Sequence, residues 1–122
     1  MLNIKRVNVK DKVLVENVVY IGRTNKTYNL SPSPLANPYV IGRDGDRDEV
    51  VEKYRQWLRL NVQRKLENPE HGNAAFKELK RLQLKARDNE LTLMCWCKSN
   101  EKCHGDIIIN CLNWMEISHI GE

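Results

Sequence analysis

The sequence predicts an α/β domain: a small Rossmann-like, three-layer unit with a mainly parallel sheet, occupying residues 1–122 as one domain. Three observations predict it. Val18–Ile21 and Leu91–Trp96 are short apolar runs of the kind found in strands buried on both faces. Long amphipathic patterns at helical spacing lie between them and after the second. The resulting order of strand, helices, strand and helix is what a parallel sheet with crossover helices produces.

The elements follow in chain order. Ile4–Val9 alternates, with Ile4, Arg6 and Asn8 on one side and Val7 and Val9 on the other, and reads as a first strand. The second strand is placed within Val13–Ile21, whose Val-Val-Tyr-Ile end is β-branched and aromatic. Thr24–Asp46 is irregular and holds Pro32, Pro34 and Pro38; a loop of this length inside a small domain is often functional. Asp46 and Glu49 form a capping box that opens helix one, in which Val50, Val51, Tyr54, Trp57, Leu58, Val62 and Leu66 recur at helical spacing until Asn68-Pro69 stops it. Helix two is expected over Asn73–Arg87, with Ala75, Phe76, Leu79, Leu82 and Ala86 on one face. Leu91–Trp96 is the next strand. Helix three is expected over Gly105–Ser118, with Ile108, Cys111, Leu112 and Met115 turned inward.

Composition narrows the function classes. With 122 residues, 41% apolar and 30% charged, the chain is globular and not disordered. The net charge of +4 suits an anionic ligand, but the charges are interspersed and form no basic arm, so nucleic acid is only weakly supported as a partner. No stretch approaches the roughly 20 apolar residues of a membrane span, and Met1–Lys12 does not resemble a secretion signal. The expectation is a cytoplasmic, reducing location. The four cysteines are then thiols, ligands or catalysts before they are disulfides.

Cys95-Trp96-Cys97 ends a strand, a polar loop follows, and Cys103-His104-Gly105-Asp106 opens a helix. Side chains alternate along a strand, so Cys95 and Cys97 share a face. Unpaired amides and the dipole at a helix N-terminus favour a thiolate at Cys103 and also make an anion site, with His104 placed as acid or base. Three readings compete. Cys95, Cys97, Cys103 and His104 are the right donors for a structural zinc site, although C-x-C and adjacent Cys-His are not its common spacings. Each residue alone reads as a buried thiol or a satisfied core histidine. The third reading is an active or ligand-binding site. Cys111, on the apolar face of helix three, is most simply core.

A second constellation lies upstream. Arg23 follows the buried strand, Ser33-Pro-Leu-Ala-Asn-Pro-Tyr39 is a rigid turn, and Arg43 and Arg47 flank the start of helix one. Arginines are poorly placed for the dipole there, which points to a bound phosphate or carboxylate. Salt bridging with Asp44, Asp46 and Asp48 is the plainer alternative. Ligands of open parallel sheets bind beyond the carboxyl ends of the strands. If the two apolar strands are parallel, Arg23, the Asn37–Arg47 loop and the Cys97–Asp106 loop meet at one edge.

Tyr20-Ile-Gly-Arg23, Ser33–Tyr39, Ile41-Gly-Arg-Asp-Gly-Asp-Arg47, Tyr54, Cys95-Trp-Cys97 and Cys103–Asp106 together resemble the domain of unknown function numbered 4326, over roughly residues 4–115. That family occurs in bacteria and their phages and carries no settled activity; the resemblance implies a Rossmann-like fold and a real site. The C-terminal part is also similar to domain of unknown function 488, where a Cys-His-Arg sequence starts the helix. Here Gly105 stands in place of that arginine and Cys97 is additional, so no mechanism is carried over.

The expected function is binding, with or without processing, of a nucleotide-like or other phosphorylated small molecule at the carboxyl edge of the sheet. Arg23, Arg43 and Arg47 would hold the anion, Asn37 would orient the ligand, and Tyr54 and Cys97 belong to the same site. Cys103, His104 and Asp106 would carry any chemistry, with Cys103 as nucleophile and His104 as acid or base. This reading assigns no metal ligand and no cofactor. The alternative is a zinc-stabilised interaction module associated with nucleic acid.

Overall fold

The computed structural model describes residues 2–11 and 16–119. Strands β1 (Ile4–Asn8), β2 (Val18–Tyr20) and β3 (Leu91–Cys95) are interleaved with helices α1 (Arg47–Glu67), α2 (Ala74–Asp88) and α3 (His104–Ile117). The part of the second strand expected at residues 13–15 lies outside the described residues.

The sheet is wholly parallel in the order β1-β3-β2. Val18–Tyr20 pairs with Thr92–Met94, so the two apolar runs are parallel neighbours, as their context predicts. The chain leaves β2, builds α1 and α2, and returns as the central strand β3. All three carboxyl ends therefore face one edge.

Alternation decides what covers the sheet. Val19, Ile21, Leu91, Leu93 and Cys95 join the buried core, with Ile4 packed against it, and each of the three helices contributes to that same cluster. The opposite face carries an exposed Lys5 and the half-buried Val7, Val18, Tyr20 and Met94 around a buried Thr92. The helices thus all lie on one face, with α2 and α3 against the sheet and α1 packed on both of them. The helical layer expected on the other face is absent among the described residues. Its basis was the Val-Val-Tyr-Ile run read as buried on both sides, whereas only Val19 and Ile21 of that run are buried.

Local chemistry sets the helix bounds. Asp46 Oδ1 accepts from the Glu49 amide at 2.9 Å and Glu49 Oε1 accepts from the Asp46 amide at 3.1 Å, closing the expected capping box. Gly45 precedes it at φ 138°, where a Cβ would meet Glu49 Cβ at 2.7 Å, so glycine is required. Asn73 caps α2 through the Phe76 amide. The α2 face expected from spacing is buried, together with Gln83, which donates to Glu116 on α3. In α3, Ile107, Ile108, Leu112 and Met115 are buried, whereas Cys111 is only half-buried and lies at the edge of the core.

The long loop is fastened from below. Leu35 is fully buried, and its carbonyl accepts from the Tyr54 hydroxyl at 2.7 Å. Asn37 Nδ2 donates to Val50 O, and its Oδ1 accepts from the Tyr39 amide. Tyr54→Phe leaves a buried carbonyl without its donor and is expected to cost about 1–3 kcal/mol. Urea unfolding of the variant and parent checks this; equal midpoints would show that the loop is held elsewhere.

Candidate functional site

Parallel strands bring the loops after β2 and β3, and the first turns of α1 and α3, to the same edge. A cleft of about 480 Å³ opens there, and Arg23, Asn37, Arg47, Cys97, Cys103 and His104 line it. Tyr20, Tyr39 and Trp96 add aromatic surface and Lys102 a cation.

The other residues singled out in the sequence lie outside this lining. Arg43 bonds Asp44 and the Pro38 carbonyl on the surface. Tyr54 is fully buried beneath the cleft, with its ring 5.1 Å from that of His104. Asp106 closes a capping box on Cys103 and pairs with Arg6. Asn37 reaches the cleft wall, but both ends of its amide are engaged by backbone, so it shapes the loop more than it offers donors.

Arg6 is the residue that sequence patterning missed. Its side chain, only 10% exposed, runs from β1 across the edge. Nε donates to Asp106 Oδ1 at 3.0 Å, Nη1 to Lys98 O, and Nη2 to Ser99 O and Glu101 O. Nη1 also lies 3.8 Å from Cys95 Sγ. The available signal was a charge at the same alternation as Ile4, which faces the helices.

The sulfurs of Cys95, Cys97 and Cys103 lie within 4.8 Å of one another. Each faces a nitrogen donor: Cys95 the Arg6 guanidinium, Cys97 that of Arg47 at 3.3 Å, and Cys103 the Gly105 amide at 3.3 Å. Arg47 further donates to Lys102 O and pairs with Glu101, so it serves the β3–α3 loop. His104 Nε2 sits 2.8 Å from the Ile21 carbonyl. A carbonyl only accepts, so Nε2 carries the proton and Nδ1, 3.7 Å from Cys103 Sγ, keeps its lone pair.

These contacts set the protonation states. Hydrogen bonds from the Cys103 and Cys97 thiols, joined by the Arg6 guanidinium, pull the Cys95 thiol far down. The same bond to Cys95, then Cys97 and burial, pushes Cys103 far up. Close sulfurs cannot all carry charge at once. The helix N-terminus favours a thiolate at Cys103, but the residue is 1% exposed and its two neighbouring sulfurs push its thiol up. Burial holds His104 neutral by lowering its basicity.

The fold and site define a small parallel α/β protein with a cysteine-rich cleft at its carboxyl edge. The chain belongs to the family described as Domain of unknown function (DUF4326), whose model matches residues 3–114. No curated protein and no solved structure matches it.

Accessibility orders the thiols. Cys97 is half-buried and lines the cleft, Cys95 and Cys103 are buried, and burial pushes the Cys111 thiol up to about 11. Alkylation of reduced, chelator-treated protein at neutral pH, followed by mass mapping, should label Cys97 first and Cys111 slowly. Labelling of Cys111 ahead of Cys97 would contradict this arrangement.

Proposed function

We propose that the cleft binds a nucleotide-like or other phosphorylated small molecule. One observation carries the reading. Arg23 lines the cleft, held rigidly by Nε to Asn37 O at 3.0 Å and Nη2 to Tyr39 O at 2.7 Å, and has no carboxylate partner among the described residues. Backbone carbonyls orient a guanidinium but leave its unit charge in place, and a planar cation so positioned suits a phosphate or carboxylate.

The surroundings agree. About 480 Å³ falls in the range of small-molecule clefts. Trp96, whose indole N–H donates to the Tyr20 hydroxyl and whose ring makes a T-shaped contact with that of Tyr28, adds aromatic surface to the lining. The other nearby cations are paired: Arg43 with Asp44, Arg47 with Glu101, and Lys102 with Asp48. That pairing supports a compact anion over a nucleic-acid backbone, which needs a run of unpaired cations. Binding is the function proposed, with Arg23 as the group that meets the anion. Free thiols at all four cysteines support a reducing location such as the cytoplasm.

Thermal unfolding with AMP, ATP, ribose 5-phosphate, inorganic phosphate and unphosphorylated adenosine tests the reading. A phosphorylated ligand at a hundredfold excess over its Kd stabilises by about 2.7 kcal/mol, a rise of roughly 10 °C for a chain of this size. Adenosine should do far less. Arg23→Gln should erase the rise while the unliganded protein still melts cooperatively. No shift with any phosphate, or an undiminished shift in Arg23→Gln, overturns the proposal.

A further inference from the structure

We propose that Cys95, Cys97 and Cys103, with Nδ1 of His104, hold a zinc ion as thiolates at the floor of the cleft. The site stands apart from the phosphorylated ligand, since none of these four residues is asked to carry that anion.

Geometry comes first. A tetrahedral zinc with bonds of about 2.3 Å to sulfur sets its sulfurs about 3.8 Å apart. The three sulfurs already lie within 4.8 Å of one another, so small side-chain rotations close the set. They come from separate elements, Cys95 from the end of β3, Cys97 from the following turn and Cys103 from the cap of α3, so the convergence is tertiary. His104 stands outside that set of three, so its imidazole also has to turn toward Cys95 and Cys97 to supply the fourth ligand. Cys103 Sγ and His104 Nδ1 are 3.7 Å apart, close to the about 3.6 Å edge of a sulfur–nitrogen tetrahedron.

The surroundings are those of a metal-bound thiolate set. Zinc with three thiolates and a neutral imidazole carries a net charge of −1. Two guanidiniums, from Arg6 and Arg47, and the Gly105 amide donate to the sulfurs, one to each. Neutral thiols accept weakly, so the donors aimed at the sulfurs gain most when the sulfurs are thiolates. A ligating histidine usually donates its other N–H to a carbonyl or carboxylate, which fixes the tautomer; His104 does so to Ile21 O at 2.8 Å. A donor set of three sulfurs and one nitrogen favours zinc over magnesium, calcium or manganese.

The test uses the full chain, purified under reductant without chelator or histidine tag. Plasma mass spectrometry should find one zinc per chain. Cobalt(II) added to the stripped protein should give thiolate-to-metal charge-transfer absorption. Cys97→Ser should abolish that band, Arg47→Gln should weaken metal affinity about 10–100-fold, and Cys111→Ser should leave both unchanged. If Cys97→Ser does not fold, protection of Cys95, Cys97 and Cys103 in the parent on adding zinc, reversed by chelator, gives the same answer. A folded, reduced chain that carries no zinc and shows no cobalt charge-transfer band overturns the site, as does a band that survives Cys97→Ser. Zinc binding without any phosphate response would sink only the ligand reading, and a phosphate response without metal would sink only this one.

Discussion

The Arg6 guanidinium is the fastener on which the carboxyl edge depends. A charge carried inward on an edge strand is costly unless every donor is matched. Here Asp106 supplies the opposite charge, and the carbonyls of Lys98, Ser99 and Glu101 with the Cys95 sulfur take the remaining donors. One side chain thereby ties β1 to the cap of α3 and moulds the loop between β3 and α3. Gly105 is part of the same arrangement. A Cβ there would stand 2.8 Å from Arg6 Cδ and 3.0 Å from Ile21 Cδ1, so a side chain at 105 would push the arginine off its partners. The glycine after His104 is therefore explained by the passage of a side chain from another strand.

Parallel topology then turns this local fastening into a site. With β3 in the centre, the turn after it stands between the ends of β1 and β2. Cys95 and Cys97 meet Arg6 from one side and Arg47 from the other, while α3 delivers Cys103 and His104 between them. Tyr54 supports this assembly by holding Leu35 O with its hydroxyl and by a T-shaped contact of its ring with the His104 imidazole. Asn37 and Asp106 likewise spend their polar atoms on the frame. The residues that carry the family resemblance thus divide into those that build the cleft and those that face it.

What was legible in the sequence was mostly local. The Asp46–Glu49 capping box, the stop at Asn68-Pro69 and the buried face of α2 each depend on residues within a turn or two, and spacing alone reveals them. The shared edge was legible because apolar strands separated by helices have few other ways to pair. The layer count was not. A four-residue apolar run looks the same whether one face is covered or both, and Val18 and Tyr20 are half-buried without a helix above them. Arg6 was hidden because its partners lie 89 to 100 residues away. The surroundings of Cys103 were hidden for a related reason. The helix terminus is visible in sequence, but two further sulfurs within 4.8 Å are a product of the fold.

The charge balance of the edge links its two proposed occupants. Three arginines converge here, and they are engaged differently. Arg6 and Arg47 each reach both a carboxylate and a sulfur, so their charge is answered within the protein, most fully when the sulfurs are thiolates. Among the described residues Arg23 bonds only backbone carbonyls, which leaves its charge for the cleft. An anion entering the cleft should therefore settle toward Arg23 and away from the sulfurs, which repel it when ionised. A metal on the sulfurs would leave that preference intact, because three thiolates still outweigh one divalent cation. The two sites can coexist in one cleft for this reason, with the metal fixing the loop from beneath and the arginine holding the ligand at the wall.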